Sequence, residues 1–287
     1  MKQLLILSGK GGTGKTTIAS AFIRLSDADA YADCDVDAPN LHLVMSNEAA
    51  PKNMDYFGIP KAVIDDKKCI KCGLCKEKCR FAAIYDAEGF TVDPFACEGC
   101  GVCAAVCPAD AVSMKPAVAG ELTLYSDYGK VFSTARLKMG SGTSGRLVTE
   151  VKKQMRAEAV KDTELAIIDG SPGIGCPVIA SISGVNMVLI VAEPSLSGIN
   201  DMERIIKTAE LFKVKIAVCV NKYDTNEVNT RKIEDFCRIS DLPFVGKIPF
   251  DHEAVKAINN GQTIVDINCP SGAAVREIYD NIIKLII

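Results

Sequence analysis

The stretch Gly9-Lys10-Gly11-Gly12-Thr13-Gly14-Lys15-Thr16 decides the fold of this chain. It follows Leu4–Ser8, an apolar run suited to a strand buried on both faces of a parallel sheet. It opens Thr16–Leu25, where apolar residues recur at helical spacing. A glycine loop in this context is the P-loop pattern, whose backbone N–H groups close around phosphate. We expect Lys15 to neutralise the terminal phosphates and Thr16 to bind Mg²⁺.

The same alternation of buried strands and helices returns in the second half of the chain. Four more apolar runs indicate strands, with helical stretches such as Asp201–Phe212 between them: Leu165–Asp169, Val185–Val191, Lys215–Val220 and Phe244–Ile248. Alternating strands and helices predict an α/β fold, with a mostly parallel sheet flanked by helices.

The alternation breaks in the region 61–116, where cysteines, glycines and short segments replace the long helices. Cys69-Ile70-Lys71-Cys72-Gly73-Leu74-Cys75 repeats as Cys97-Glu98-Gly99-Cys100-Gly101-Val102-Cys103, so one small unit is duplicated. We interpret 61–116 as an insert and assign 1–60 and 117–287 to the surrounding domain. Leu122–Phe132 predicts a hairpin around Asp127-Tyr128-Gly129, and Gly140–Gly145 a loop.

Each half of the insert carries C-x2-C-x2-C-x3-C, the spacing of small bacterial ferredoxins of α+β type with two [4Fe-4S] clusters. In that arrangement the fourth cysteine of each run binds the other cluster. The expected ligands are Cys69, Cys72, Cys75 and Cys107 for the first cluster, and Cys97, Cys100, Cys103 and Cys79 for the second. The alternative is zinc, which uses paired C-x2-C motifs.

Composition limits the other classes of function. The chain has 287 residues, 48% hydrophobic and 24% charged, and a net charge of −3 without a long basic run, so we expect no nucleic-acid partner. The longest apolar stretch is too short to span a bilayer, so we expect no membrane partner. The N-terminal apolar run is too short for a signal peptide, and thirteen cysteines suit metal binding in a reducing compartment. These features predict a cytoplasmic protein.

The second lysine of the loop, Lys10, makes Lys10–Thr17 resemble the deviant Walker A loop of the MinD, ParA, Mrp and nitrogenase iron protein superfamily of P-loop ATPases. The resemblance implies Mg²⁺-dependent ATP hydrolysis in a nucleotide-sandwich dimer, a homodimer or a heterodimer with a paralogue, in which Lys10 reaches the other subunit's ATP. It also implies that Asp35 orients or deprotonates the attacking water. Asp169, in a Walker B-like segment, would hold Mg²⁺ with Thr16, and Gly173 would present its N–H to the γ-phosphate. Acidic residues capping a strand are the alternative for Asp35.

The segment Asn221-Lys222-Tyr223-Asp224 has two interpretations. It matches the guanine-reading Asn-Lys-x-Asp of GTPases, but in the resembled family an Asn at this place contacts adenine. Lys10 favours ATP, and Pro249 falls where that family lines the base pocket. The residues expected to bind nucleotide are Gly9, Lys10, Gly11, Gly12, Thr13, Gly14, Lys15, Thr16, Thr17, Gly173, Asn221 and Pro249.

Three functions remain open, and the first is favoured because the two-cluster module is inserted between the segments of Asp35 and Asp169. ATP hydrolysis could gate electron transfer through the two clusters to an unidentified donor or acceptor. The protein could carry or assemble clusters for another iron-sulfur protein like the Mrp ATPases, whose C-terminal C-x-x-C it lacks. It could be a positioning ATPase of the MinD and ParA kind, although Val275–Ile287 has the pattern of a core helix. The isolated Cys176 is expected to be structural and buried. The alternative comes from the resemblance: Cys176 lies seven residues after Asp169, the spacing at which nitrogenase iron protein carries a ligand of its dimer-bridging cluster, but the second cysteine that such a cluster needs is absent between Cys107 and Cys176.

Overall fold

The computed structural model describes residues 1–45 and 49–286. The chain forms two compact units. The larger unit comprises Met1–Asn53, Leu122–Arg136 and Ser144–Ile287, and the smaller unit comprises Met54–Glu121 and Leu137–Thr143.

The strands of the larger unit form one twisted sheet. They are β1 (Lys2–Leu7), β2 (Ala30–Asp33), β9 (Lys130–Leu137), β10 (Leu165–Asp169), β11 (Met187–Ala192), β12 (Lys215–Asn221) and β13 (Phe244–Ile248), with β8 (Val118–Asp127) entering from the smaller unit. Their order is β13-β12-β11-β1-β10-β2-β9-β8, and β3 (Lys52–Phe57) follows β8 at the end of the same sheet. The pairs from β13 to β9 are parallel. The predicted α/β fold with a mostly parallel sheet is confirmed.

Helices cover both faces of this sheet. They are α1 (Lys15–Ser26), α4 (Ser144–Glu158), α5 (Cys176–Ile182), α6 (Leu196–Leu211), α7 (Glu227–Ile239), α8 (His252–Asn259) and α9 (Pro270–Ile286). Leu4 and Ile6 join a buried cluster with the apolar sides of α1 and α9. Leu5 and Leu7, equally buried, point to the opposite face because side chains alternate along a strand. Helices α4, α5 and α6 contact β2, β1 and β11.

The C-terminal helix α9 is part of the core, as its sequence pattern predicts. Ile278, Ile282 and Ile286 are buried in the same cluster as Phe22, whose ring meets Tyr279 edge-on at 5.2 Å. Ile287 lies outside the described residues. In the described parts of the chain, no helix has the length and apolar character needed to cross a membrane.

The smaller unit contains β3 (Lys52–Phe57), β4 (Lys61–Ile64), β5 (Ile84–Ala87), β6 (Gly89–Val92) and β7 (Val112–Lys115), with the four-residue helices α2 (Leu74–Glu77) and α3 (Val102–Ala105). Two antiparallel ribbons, β4 with β7 and β5 with β6, bracket the two helices. Gly73 and Gly101, at φ 78° and 77°, precede α2 and α3 at equivalent places. The duplication seen in the sequence is therefore also a duplication of local structure.

Candidate nucleotide site and cysteine cavities

The glycine loop lies between β1 and α1 and borders a cavity of about 570 Å³. Gly12 and Gly14 have φ of 79° and 90°, a left-handed conformation that glycine adopts without strain. The cavity is lined by the loop and by two other segments: Lys10–Thr17, Asp35, Asp37, Ala38, Asn40, Ser171 and Pro172, with Ser8 and Pro177. Gly9 lies outside the lining, against Asp201 of α6. The structure thus brings most of the predicted loop residues and Asp35 to one cavity.

Three polar residues meet at the edge of this cavity. The Lys15 ammonium lies 2.6 Å from Asp169 Oδ1, and the Thr16 hydroxyl donates to Asp169 Oδ2 at 2.6 Å. Asp169 is fully buried at the end of β10. Burial alone would lower the pKa of Lys15, but the charge of Asp169 and its hydrogen bond outweigh burial and raise it. Lys15 is therefore a charged group held beside the cavity.

The segment after β2 is organised by Asp33, a residue that the sequence did not single out. Its buried carboxylate accepts hydrogen bonds from the backbone N–H groups of Asp35, Asn40 and Leu41. Burial raises the pKa of Asp33, and the nearby charge of Asp169 adds to this. These bonds fix the turn that carries Asp35. The only sequence signal for Asp33 was an acidic residue closing a strand of small and apolar residues.

A hydrogen bond from Ser171 connects the segment after β10 with the segment after β2. The Ser171 hydroxyl donates to the Cys34 carbonyl. Gly173, expected to face a phosphate, instead donates its N–H to the Ser8 carbonyl at 3.0 Å. Because this N–H already has an acceptor, presenting it to a phosphate would require the bond to Ser8 to break.

Lys10 does not point away from its own subunit. Its ammonium contacts Glu193 Oε2 at 2.5 Å and donates to Ser195 Oγ at 3.3 Å. Glu193 follows β11, and Ser195 caps the N-terminus of α6 by accepting from the Gly198 N–H. Glu193 is a second residue that sequence reasoning missed, because nothing in the sequence connects it with Lys10.

A second cavity of about 200 Å³ adjoins the other side of the loop. Asn221 and Pro249 line it, together with Gly12, Gly14 and Thr17. The Asn221 amide donates to the Thr13 carbonyl at 2.7 Å. The base-binding candidates therefore lie beside the phosphate-binding candidates.

The eight cysteines of the repeats surround two further cavities, both inside the smaller unit. Cys69, Cys72, Cys75 and Cys107 line one. Cys79, Cys97, Cys100 and Cys103 line the other. Backbone N–H groups, first that of Ala111, lower the pKa of the Cys107 thiol, whereas burial raises the pKa of Cys75 and Cys103.

Within the described residues, no three His, Cys, Asp or Glu side chains converge closely enough to hold a single metal ion. Cys219 and Cys237 are buried, a place where a free cysteine acts as a small apolar side chain. The expectation for Cys176 is wrong: it is exposed at the start of α5. The reason is that the first turn of α5 lies at the surface: Cys176 and Pro177 precede Val178, which is the first buried residue of the helix.

Comparisons with known proteins all indicate nucleotide-binding proteins or proteins without a characterised function. A protein of Methanocaldococcus jannaschii with no characterised function is 32% identical over 99% of this chain and 97% of its own length. The structure of MinD with Mg-ADP from Pyrococcus horikoshii has a TM-score of 0.59 at 17% identity, over 99% of this chain and 96% of that one. The MinC:MinD complex of Aquifex aeolicus gives 0.55 at 18% identity, over 99% and 96%. Residues 4–264 match the CobQ/CobB/MinD/ParA nucleotide binding domain, and the chain belongs to that family.

Proposed function

We propose that the protein is a Mg²⁺-dependent ATPase that works as a nucleotide switch of the MinD and ParA kind. The observation that carries the proposal is the contact of Asp169 with Lys15 and Thr16 beside the cavity of about 570 Å³, which Lys15, Thr16 and Asp35 line. The fold and the family are those of nucleotide-binding proteins. Together they favour hydrolysis of ATP over a purely structural role for the loop.

Each residue has a distinct task in this proposal. Lys15 exchanges its bond with Asp169 for the phosphates of ATP, because the triphosphate offers more negative charge than one carboxylate. Thr16 and Asp169 are the oxygen donors that would hold Mg²⁺, which neutralises charge on the phosphates. Asp35 orients the attacking water, since phosphoryl transfer depends mainly on positioning. Release of Asp169 by Lys15 therefore links ATP binding to metal binding.

Two variants test this assignment. Lys15→Ala should abolish ATP binding in calorimetry, while Asp35→Ala should bind ATP and lose activity by about a hundredfold or more, the usual effect of removing a general base. Lys207→Ala, on an exposed part of α6, is the matched control and should behave as the wild type. Unchanged ATP binding in Lys15→Ala would refute the proposal.

The switch is proposed to act through a dimer, homomeric or with a paralogue, in which Lys10 turns from Glu193 to the partner's ATP. The relative of known structure from Aquifex aeolicus forms a complex with MinC, which supports control of a partner protein as the output of such a switch. Molar mass measured by light scattering on Asp35→Ala should double with Mg-ATP and stay at 30.7 kDa with Mg-ADP. A mass of 30.7 kDa with both nucleotides would exclude the homodimer.

A second function is favoured by one specific observation, the two cavities lined by four cysteines each. A [4Fe-4S] cluster binds each thiolate to a different iron, so its ligands stand farther apart than those of a single ion. The eight thiols therefore fit two such clusters, although no group around one metal ion exists among the described residues. We propose that 61–116 is a two-cluster ferredoxin module, which would supply one-electron chemistry or clusters to an iron-sulfur partner.

Iron analysis of anaerobically purified protein tests the module. We expect close to eight irons per chain in the wild type and a clear loss in Cys107→Ser, because its thiol belongs to the first cavity. Cys176→Ser is the control, since that thiol lies outside both cavities. Stoichiometric zinc without iron would eliminate the module and leave the ATPase proposal standing.

A further inference from the structure

The four residues Asn221-Lys222-Tyr223-Asp224 follow β12 and have the order of a guanine-reading motif. A carboxylate that reads guanine must accept bonds from the N1–H and the 2-amino group of the base. The bonds that these four side chains make in this structure decide whether they are arranged for that task.

Asn221 and Lys222 hold the glycine loop. The Asn221 amide donates to the Thr13 carbonyl at 2.7 Å, and its oxygen accepts the Lys222 N–H at 2.9 Å. The Lys222 ammonium donates to the Gly12 carbonyl at 3.0 Å. Lys222 has a φ of 57°, a strained conformation for a lysine that persists only where the surroundings enforce it. Two neighbouring carbonyls of the loop are thus fixed from outside.

Asp224 points to the other wall of the 200 Å³ cavity. Its Oδ1 accepts the backbone N–H of Phe250 at 2.8 Å. Phe250 lies in the turn Pro249–Asp251, which lines that cavity. The same turn is held on its far side by Asp251, whose carboxylate accepts from the N–H groups of Glu253 and Ser271 at 2.9 and 3.1 Å. Asp224 is the only residue of the tetrad that tethers this turn among the described contacts.

We propose that Asp224 is a positioning residue of the nucleotide site: it fixes the Pro249–Asp251 turn against which the base binds, and it does not read a guanine. The inference rests on the proposed ATP binding and adds the part of the site that recognises the base. The base contacts the backbone of the turn, and the tetrad braces both walls of the cavity, one through Asn221 and Lys222 and one through Asp224.

Substitution of Asp224 distinguishes the two roles. Asp224→Asn keeps an oxygen that accepts the Phe250 N–H, so ATP affinity should stay within about twofold of the wild type. Asp224→Ala removes the bond that holds the turn and leaves the exposed Phe250 N–H to water, so it should weaken ATP binding by roughly three- to tenfold, the net value of one hydrogen bond. A guanine reader behaves differently, because its Asn variant exchanges guanine for xanthine, which has a carbonyl where guanine has an amino group.

Dissociation constants for Mg-ATP, Mg-GTP, Mg-XTP and tripolyphosphate should be measured by calorimetry on the wild type and both variants. Tripolyphosphate has no base, so its affinity should be equal in all three. Glu227→Ala, an exposed carboxylate at the start of α7, is the matched control. Gain of XTP binding by Asp224→Asn, tighter GTP than ATP binding by the wild type, or unchanged ATP binding by Asp224→Ala would overturn the inference. A wild type that binds none of the three nucleotides would instead refute the proposed function.

Discussion

At the scale of single residues, the candidate nucleotide site is held together by short polar contacts: Asp169 binds Lys15 and Thr16, Asp33 fixes the turn of Asp35, and Glu193 binds Lys10. Lys15, Thr16 and Asp169 were identified by motif, and the structure brings them within hydrogen-bond distance. Asp33 and Glu193 were missed because their importance lies in backbone bonds and in a contact between residues 183 positions apart, which no local pattern encodes. Motifs specify residue types at fixed spacing, whereas these two residues act through tertiary contacts.

The glycines of the loop are not equivalent, and this predicts a difference in stability. A Cβ on Gly14 would lie 2.2 Å from Asn221 Nδ2, and its φ of 90° is unfavourable for alanine. A Cβ on Gly11 would meet nothing within 4 Å. Gly14→Ala should therefore lower the melting temperature by several degrees, with Gly11→Ala as the control within about 1 °C of the wild type. Equal melting temperatures in calorimetric scans would contradict the packing around Asn221.

The contact between Lys10 and Glu193 predicts a measurable effect on association. If Lys10 acts in a dimer, Glu193 competes for it within one subunit, so Glu193→Gln should tighten ATP-dependent self-association. The gain should be no more than about fivefold, because a partly exposed ion pair contributes about 0.2–1 kcal/mol. Sedimentation of Asp35→Ala with and without the second change measures it, and Glu210→Gln on the exposed side of α6 is the control. Weaker association in Glu193→Gln would exclude such competition.

At the scale of elements, the sequence predicts which segments are buried strands more accurately than it predicts where helices and other strands begin. Leu165–Asp169 and Phe244–Ile248 match β10 and β13 at both ends. The loop predicted at Gly140–Gly145 is wrong in its last two residues, because α4 starts at Ser144. Ser144 and Gly145 are typical of turns, so the local sequence favours a loop. Burial of Leu147, Val148 and Val151 stabilises the first turns of α4, and the helix therefore includes Ser144 and Gly145. The hairpin predicted from Leu122 starts four residues earlier, because 118–121 belong to β8.

Helix α4 also carries a buried cation that predicts a pH-dependent stability. The Lys152 ammonium donates to the carbonyls of Ala180, Ser181 and Ser183 at the C-terminal end of α5. Burial lowers its pKa to about 8, with Cys34 opposing and Arg156 adding to the shift. Between pH 8 and its usual pKa of 10.5, the unfolded chain binds more protons than the folded one, so this residue makes stability rise with pH.

Thermal unfolding across that range tests the prediction. The melting temperature of the wild type should rise relative to that of Lys152→Met as the pH increases from 8 to 10. Lys153→Met removes the adjacent lysine, whose side chain is 74% exposed, and its difference from the wild type should not change with pH. A constant difference between Lys152→Met and the wild type would show that Lys152 keeps an ordinary pKa.

At the scale of the whole molecule, the two units share continuous elements. The chain passes between them within β3, β8 and β9, and a fourth time just before α4. A strand that belongs to two units transmits displacement along its length more directly than a flexible linker. Under the proposal that the smaller unit holds two clusters, we therefore expect ATP binding and cluster reduction to be coupled.

Such coupling must be reciprocal, because both events are linked through one free energy. Reduction adds one negative charge to a cluster, and ATP brings several more to the larger unit. If ATP changes the affinity of the clusters for an electron, then reduction must change ATP affinity by the same factor, typically five- to 150-fold, or about 1–3 kcal/mol. Asp35→Ala, expected to bind ATP without hydrolysing it, allows both quantities to be measured at equilibrium.

Cluster potentials should be titrated by EPR without nucleotide, with ADP and with ATP, and ATP affinity should be measured on oxidised and on reduced protein. Lys15→Ala is the control: it should not bind ATP, so its cluster potentials should be the same with and without ATP. Identical potentials in all three states of Asp35→Ala, with an ATP affinity indifferent to reduction, would show that the clusters and the nucleotide act independently.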